Sequence, residues 1–339
     1  MSASGALAIV GMGPGAEALV TPEVSAALAR ASDIVGYGPY VARVSERPGQ
    51  RRHVSDNREE IARARHALEM AASGRRVVVV SSGDPGVFAM AAAVFEALEA
   101  GPPAWRALEI SVLPGITAML AAAARVGAPM GHDFCAINLS DNLKPWPVIA
   151  RRLRLAVEAD FAIALYNPRS RARPQGFARA LDLLRAACGD ARPVIFARAV
   201  STPEEEIRIL PLPECTPEMA DMRTVVIIGS SATRVIERPG APFVYTPRAL
   251  APSAPSRISP GASSPASQAI TASTECTSRR AGSAGRSIMM TGRPSLRAAV
   301  ILASAPLPPE FLETTSSMPW SRISARSPAS LNGPRSTIT

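Results

Sequence analysis

Three glycine-rich turns carry the residues of this 339-residue chain best suited to hold a ligand. The first, "LAIVGMGPGAEALVTPEV", sets Gly11, Gly13 and Gly15 between an apolar run and a helix-like stretch. The second, "VVVVSSGDPGVF", ends a buried run in Ser82, Gly83, Asp84 and Pro85. The third, "VLPGITAMLAAAARVGAP", opens a helix with Gly115 and Thr117. Turns of this kind at the carboxyl ends of strands put backbone groups where open α/β sheets bind their ligands. A dinucleotide would need its third glycine one position later and an acidic residue at the carboxyl end of the second strand. Pro14 offers no N–H, and Asp33 precedes the apolar "IVGY", at the wrong end. A P-loop needs G-K-[ST], and the only lysine in the chain is Lys144. What remains is a ligand with polar ends and no phosphate cluster, held by backbone; S-adenosylmethionine fits. Asp84 would either accept hydrogen bonds from that ligand or cap the helix that follows it.

Other reactive side chains are few. His53, His66 and His132 have no metal-ligand spacing, and Cys135, Cys188, Cys215 and Cys276 form no C-x-x-C pair, so no bound metal is expected. Scattered cysteines suit reduced thiols and a cytoplasmic protein. "MSASGALAIV" is not a signal peptide, and the apolar runs are strand-length, short of a membrane span. The formal charge of +9 is concentrated beyond Ala249, where nine Arg and three Glu contribute +6. The remainder is nearly balanced and lacks the interleaved aromatics of a single-strand binder, so no nucleic-acid partner is expected.

The elements that would position these turns alternate. "LAIVG", "VVVVSSG" and "LEISVLPG" read as strands, with helices over "TPEVSAALARA", "REEIARARHALEMAASG" and "VFAMAAAVFEALEAG" between and after them. This order predicts a mainly parallel N-terminal α/β sheet. An Ala-rich helix over 116–126 leads to "DFCAINLSD", "DFAIALYNP", "RPVIFARAV", "EEIRILPL" and "RTVVIIGSS", with helices at 146–159 and 176–187. Fewer helical crossovers predict a mixed second sheet. The expected organisation is an N-terminal α/β domain, 1–113, a C-terminal α/β domain, 114–247, and a tail, 248–339. That tail is rich in Ser, Ala, Pro, Thr and Arg without Lys or Asp. It reads either as a disordered extension or as a segment translated out of frame, in both cases without function.

In order, "GMGPG…LVTPEV", "SSGDPGVF", "PGITAMLAAAARVGAP", "HDFCAINLSD", "ALYNPRSRAR" and "FARAVSTPEEE" resemble the tetrapyrrole methylase family. "VGYGPYV", "NLSDNLKPWPVIARRL" and "LYNPRSRARPQ" are most similar to its ring-contracting members of corrin synthesis. The resemblance runs from about Ala6 to Tyr245. It implies a two-domain α/β homodimer whose cleft holds S-adenosylmethionine and a tetrapyrrole. Matched position by position, it implies cofactor contacts from Gly83, Asp84, Val87, Thr117, Ala118, Tyr166, Asn167 and Ala197, with Pro14 in the wall facing substrate. Ring contraction asks for a proton acceptor, and Asp84, His132, Asp133 and Asp141 are the candidates. The resemblance implies a polycarboxylate substrate, which suits guanidinium forks; Arg169 and Arg171 are the expected contacts, with Arg173 in a solvated loop.

Overall fold

Strands β1 (Ala6–Gly11), β2 (Asp33–Tyr37), β3 (Arg51–Ser55), β4 (Arg76–Ser81) and β5 (Glu109–Leu113) form a sheet of order β3-β2-β4-β1-β5. Every pairing in it is parallel. The computed structural model describes residues 5–56, 59–170, 172–188 and 192–249. Helices α1 (Pro22–Arg30), α2 (Gly38–Val41), α3 (Glu60–Ala72) and α4 (Met90–Ala100) belong to this layer. α1 starts where Thr21 accepts the Val24 N–H at 3.3 Å and Pro22 occupies the first turn, an arrangement that satisfies one free donor and needs none from Pro. One face of the sheet packs Leu7, Ile9, Val77 and Val79 against α3 and α4. The other packs Val10, Ile34, Val78 and Val80 against Val24 and Leu28 of α1. Cover on both faces is why "VVVV" is an unbroken apolar run.

Helix α5 (Ala118–Val126) and a two-residue strand β6 (Gly127–Ala128) lead toward the second sheet. Its strands are β7 (Phe134–Asn138), β8 (Ala162–Tyr166), β9 (Pro193–Arg198), β10 (Glu206–Pro211) and β11 (Thr224–Ile228), in the order β10-β9-β11-β8-β7. Only β7 and β8 are parallel; the other neighbours are antiparallel, so the sheet is mixed as expected. Helices α6 (Trp146–Glu158) and α7 (Gly176–Cys188) cover one face through Ile149, Leu153, Phe177 and Leu181. The opposite face packs Ala164, Ile195, Ala197 and Val225 against Ala122, Ala123 and Val126 of α5. A small third sheet joins β6 to β12 (Arg234–Ile236) and β13 (Phe243–Tyr245).

Two elements differ from expectation for local reasons. β3 reads "RRHVS" and carries no apolar alternation because it is an edge strand with little burial. α4 begins at Met90, three residues later than the apolar pattern suggests. Asp84 Oδ1 takes the Gly86 N–H at 2.8 Å, and Phe88 has φ +52, outside the helical region. Asp84 therefore does not cap α4.

At the amino end of the first sheet, Asp33 opens β2 and is fully buried. Its carboxylate accepts from Ser32 Oγ at 2.8 Å and Arg75 Nη1 at 3.0 Å, and meets His53 Nε2 at 2.8 Å. His53 Nδ1 in turn lies 3.1 Å from His66 Nε2 on α3. The two histidines with no sequence spacing in common are thus neighbours in a chain of polar contacts that ties β2, β3 and α3.

Candidate active site

The carboxyl ends of β1, β4 and β5 meet at a crossing of glycines. Gly13 and Gly83 exchange backbone hydrogen bonds at 3.2 and 2.9 Å, both with φ near +60 (+63 and +62). A Cβ on Gly115 would lie 2.7 Å from the Gly11 carbonyl oxygen, and one on Gly11 would lie 2.6 Å from that of Gly83. Side chains are excluded at this crossing, so what lines it is backbone. A cradle of this form suits a ligand gripped by N–H and C=O groups, as the sequence suggests for S-adenosylmethionine.

Asp84 fastens the crossing. Its Oδ1 accepts from Gly86 N and its Oδ2 from Gly115 N at 3.1 Å, which joins the ends of β4 and β5. Val87 closes the same turn through its N–H to the Asp84 carbonyl at 3.2 Å. Arg43, just beyond α2, holds the opening turn from outside. Its guanidinium donates to the carbonyls of Met12 at 2.6 Å, Gly15 at 3.0 Å and Gly13 at 3.3 Å. No motif marks this residue. Arg43→Ala is expected to lower stability by about 1–3 kcal/mol, because three carbonyls lose one shared donor, and to weaken S-adenosylhomocysteine binding. Urea unfolding together with titration calorimetry checks this; unchanged values in both would show that the turn keeps its shape without the guanidinium.

The second sheet presents its own carboxyl-end residues toward this crossing. Tyr166, ending β8, sets its hydroxyl 2.6 Å from Thr117 Oγ1 and accepts the Met119 N–H at 3.0 Å. Burial holds the phenol above its ordinary value, helped by the charge of Asp84 and opposed by the bonds from Thr117 and Met119. It is therefore a neutral hydroxyl at the N-terminus of α5. Ala118, the first residue of that helix, is half-buried beside it. Asn167 follows with φ +51 and donates from Nδ2 to Asn138 Oδ1 at 3.1 Å, linking β8 to β7. Pro14 is half-buried in the opening turn, and Gly15 beside it abuts the Ser201 carbonyl, where a Cβ would come within 2.5 Å. Ala199 and Ser201 after β9 also have positive φ, +47 and +64. Of the five positive-φ non-glycine residues among the described residues, Phe88, Asn167, Ala199 and Ser201 lie beyond the carboxyl ends of β4, β8 and β9, and Asp160 precedes β8; such backbone is common at functional sites.

The remaining candidates divide. Ala197 is enclosed in the core beneath α5, so only its backbone could face a ligand. His132 and Asp133 precede β7, whereas Asn138 ends it. Five residues of strand, roughly 16 Å, keep His132 apart from Tyr166 and Asn167, and the structure does not bring it to this group. Asp141 does lie beyond the carboxyl end of β7, exposed, with Oδ1 3.9 Å from Arg173 Nε. Arg173 is not the solvated residue expected; its side chain is 15% exposed and lies against Asp141 and Met222. Arg169 lines a cavity of about 580 Å³ with Ser170, Pro174, Asp221, Met222 and Arg223. Asp221 is already engaged there by Arg198 Nε and Thr224 Oγ1, both at 2.8 Å, and by Arg223 N at 2.9 Å. Burial alone would raise that carboxyl, but the bonds from Thr224, Arg198 and Arg223 hold it below its ordinary range. Arg171 lies outside the described residues. Among the described residues no group of three or more His, Cys, Asp or Glu is placed to hold a metal ion, and no helix is long and apolar enough to cross a membrane.

Comparison with known proteins agrees with this geometry. The family model "Tetrapyrrole (Corrin/Porphyrin) Methylases" matches residues 6–216. The chain is 57% identical to the precorrin-3B C(17)-methyltransferase of Sinorhizobium sp over 246 residues, 72% of this chain and 97% of that protein. It is 40% identical to a probable cobalt-factor III C(17)-methyltransferase of Salmonella typhimurium over 230 residues, 68% of this chain and 94% of that protein. The crystal structure of the methyltransferase CobJ superposes with a TM-score of 0.69 at 64% identity, covering 72% of this chain and 100% of that one. With its α/β layers, its glycine-lined crossing and these relatives, the chain belongs to the tetrapyrrole (corrin/porphyrin) methylase family.

Proposed function

We propose that this protein transfers a methyl group from S-adenosylmethionine to carbon 17 of precorrin-3B, with ring contraction to precorrin-4, in cobalamin synthesis. The observation that carries the reading is the backbone crossing at Gly11, Gly83 and Gly115, with Gly115 two residues before the Thr117 that meets Tyr166, in a chain 57% identical to an enzyme of that name. When bound, the sulfonium supplies an electrophilic methyl group and leaves as a thioether. The protein's part is alignment and exclusion of water. In this reading Gly83, Asp84, Val87, Thr117, Ala118, Tyr166, Asn167 and the Ala197 backbone surround the donor. Pro14 stands toward the macrocycle. Of the candidate proton acceptors, Asp84 spends both oxygens on Gly86 and Gly115, and His132 stands at the far end of β7. Asp141, exposed and only loosely paired with Arg173, keeps acceptor capacity and is the preferred candidate.

The same reading takes the protein as a cytoplasmic homodimer with its domain boundary near Pro114. A second substrate is favoured by the 40% identity to a probable cobalt-factor III enzyme: the ring could already carry cobalt. The deciding experiment incubates the protein with S-adenosylmethionine and either metal-free precorrin-3B or its cobalt equivalent, then reads product mass and spectrum. Methylation of neither would overturn the proposal.

Arg169 is the expected carboxylate contact, because the neighbouring Asp221 is already occupied by Arg198 and Thr224. Arg169→Lys keeps the charge and loses the fork. A fork–carboxylate pair is worth about 1.5–3 kcal/mol, so KM for the macrocycle should rise roughly tenfold or more while S-adenosylhomocysteine affinity stays unchanged. Normal KM, or a loss confined to the methyl donor, would remove Arg169 from the substrate site.

A further inference from the structure

Phe88 is an unusual residue in an otherwise explicable turn. Its backbone sits at φ +52, a region that bulky residues rarely enter. Its side chain is nevertheless 46% exposed, so the strain does not serve to bury it in a core. Gly or Asn would meet the same backbone demand with less strain; what the position adds is the ring. That ring stands edge-on to Tyr166, with centroids 5.2 Å apart and planes at 61°. It therefore lies beside the hydroxyl that joins β8 to α5.

The turn that presents it is braced on both sides. Asp84 binds Gly86 N on one side and Gly115 N across the crossing. On the other side the Ala91 N–H reaches back to the Pro85 carbonyl at 2.9 Å, fixing the start of α4. A strained conformation persists only where its surroundings over-determine it, and these bonds supply that constraint.

We infer that Phe88 is an aromatic platform for the flat face of the tetrapyrrole, held in place by the braced turn. The inference rests on the proposed function and adds to it a residue that sets substrate affinity. A ring held in place beside Tyr166 and still 46% exposed suits apolar and stacking contact with a partly conjugated macrocycle. In the proposed reading the methyl donor is held by the backbone of the glycine crossing, to which the Phe88 ring contributes no atom, so the ring should matter to the macrocycle and not to the donor.

The test compares the full chain with Phe88→Asn, Phe88→Leu and Phe88→Tyr, using precorrin-3B turnover for KM and kcat and calorimetry for S-adenosylhomocysteine. Phe88→Asn tolerates the backbone and loses the ring; its KM for precorrin-3B should rise about tenfold, with S-adenosylhomocysteine affinity within twofold of the original. Phe88→Leu keeps apolar bulk without a flat face and should show the same split, which covers the case of a poorly folded Asn variant. Phe88→Tyr should restore KM. An unchanged KM in Phe88→Asn or Phe88→Leu, or an equal loss of S-adenosylhomocysteine affinity, overturns the platform. If the unsubstituted protein methylates neither precorrin-3B nor its cobalt equivalent, the proposed function falls and the platform with it; turnover with ring-independent KM removes the platform alone.

Discussion

Replacing Asp84 by Ala should lower S-adenosylhomocysteine affinity by more than tenfold and destabilise the fold at the same time. The residues leave ligand contact and helix capping open for Asp84, and the family resemblance implies the ligand contact, with little structural cost. The geometry adds that cost, because Gly86 N and Gly115 N both donate to this carboxylate. Removing a charged acceptor from two backbone donors, one of them part-buried, costs about 1.5–3 kcal/mol. The ends of β4 and β5 then lose their direct tie, and the glycine crossing they form loosens with them. Asp84→Asn retains one acceptor oxygen and should fall between the two. Calorimetry for affinity and urea unfolding for stability separate the effects. Affinity within twofold, well under the ~1.4 kcal/mol of a tenfold change, would show that the cradle does not depend on Asp84.

The second large effect concerns stability alone and lies at the other end of the same sheet. Asp33 is enclosed, and Asp33→Ala would leave Ser32, His53 and Arg75 without their common acceptor. His53 and Arg75 are partly exposed and can recover some hydration, so the expected loss is about 1.5–3 kcal/mol rather than the full cost of an orphaned buried charge. The pH dependence has a definite sign. Burial would raise the Asp33 carboxyl, but the bonds from Ser32 and His53 and the charge of Arg75 outweigh it and hold it below its ordinary value. A depressed carboxyl contributes stability that is present above the unfolded value of about 3.9 and is lost as pH falls through the folded value. Asp33→Asn should therefore flatten the acid limb of the stability curve below about pH 4 while leaving S-adenosylhomocysteine affinity unchanged at neutral pH. An acid limb identical to that of the unsubstituted protein would show that Asp33 does not carry this linkage.

Much of the architecture is legible in the residues themselves. A run such as "VVVV" reads as a strand covered on both faces, and alternating strands with amphipathic helices force parallel pairing. The rejection of a phosphate ligand likewise follows from single residues: Pro14 cannot donate, and Asp33 stands at the amino end of β2. These are local properties, decided by the type of residue and its place in an element. "RRHVS" escapes such a reading because an edge strand with little burial carries no periodic signal.

The site depends on contacts between distant segments. Arg43 meets the opening turn across 28 to 31 residues, Thr117 meets Tyr166 across 49, and Asp84 meets Gly115 across 31. No spacing in the chain encodes such meetings: the parallel sheet brings the ends of β1, β4 and β5 together, and the end of β8 in the second sheet comes against the start of α5. The same topology sends His132 to the amino end of β7, although in sequence it lies only six residues from Asn138. A strand converts short sequence separation into length, and a sheet converts long separation into contact. Residue type and local pattern therefore determined most of the elements, while only the tertiary structure decided which side chains meet at the strand ends.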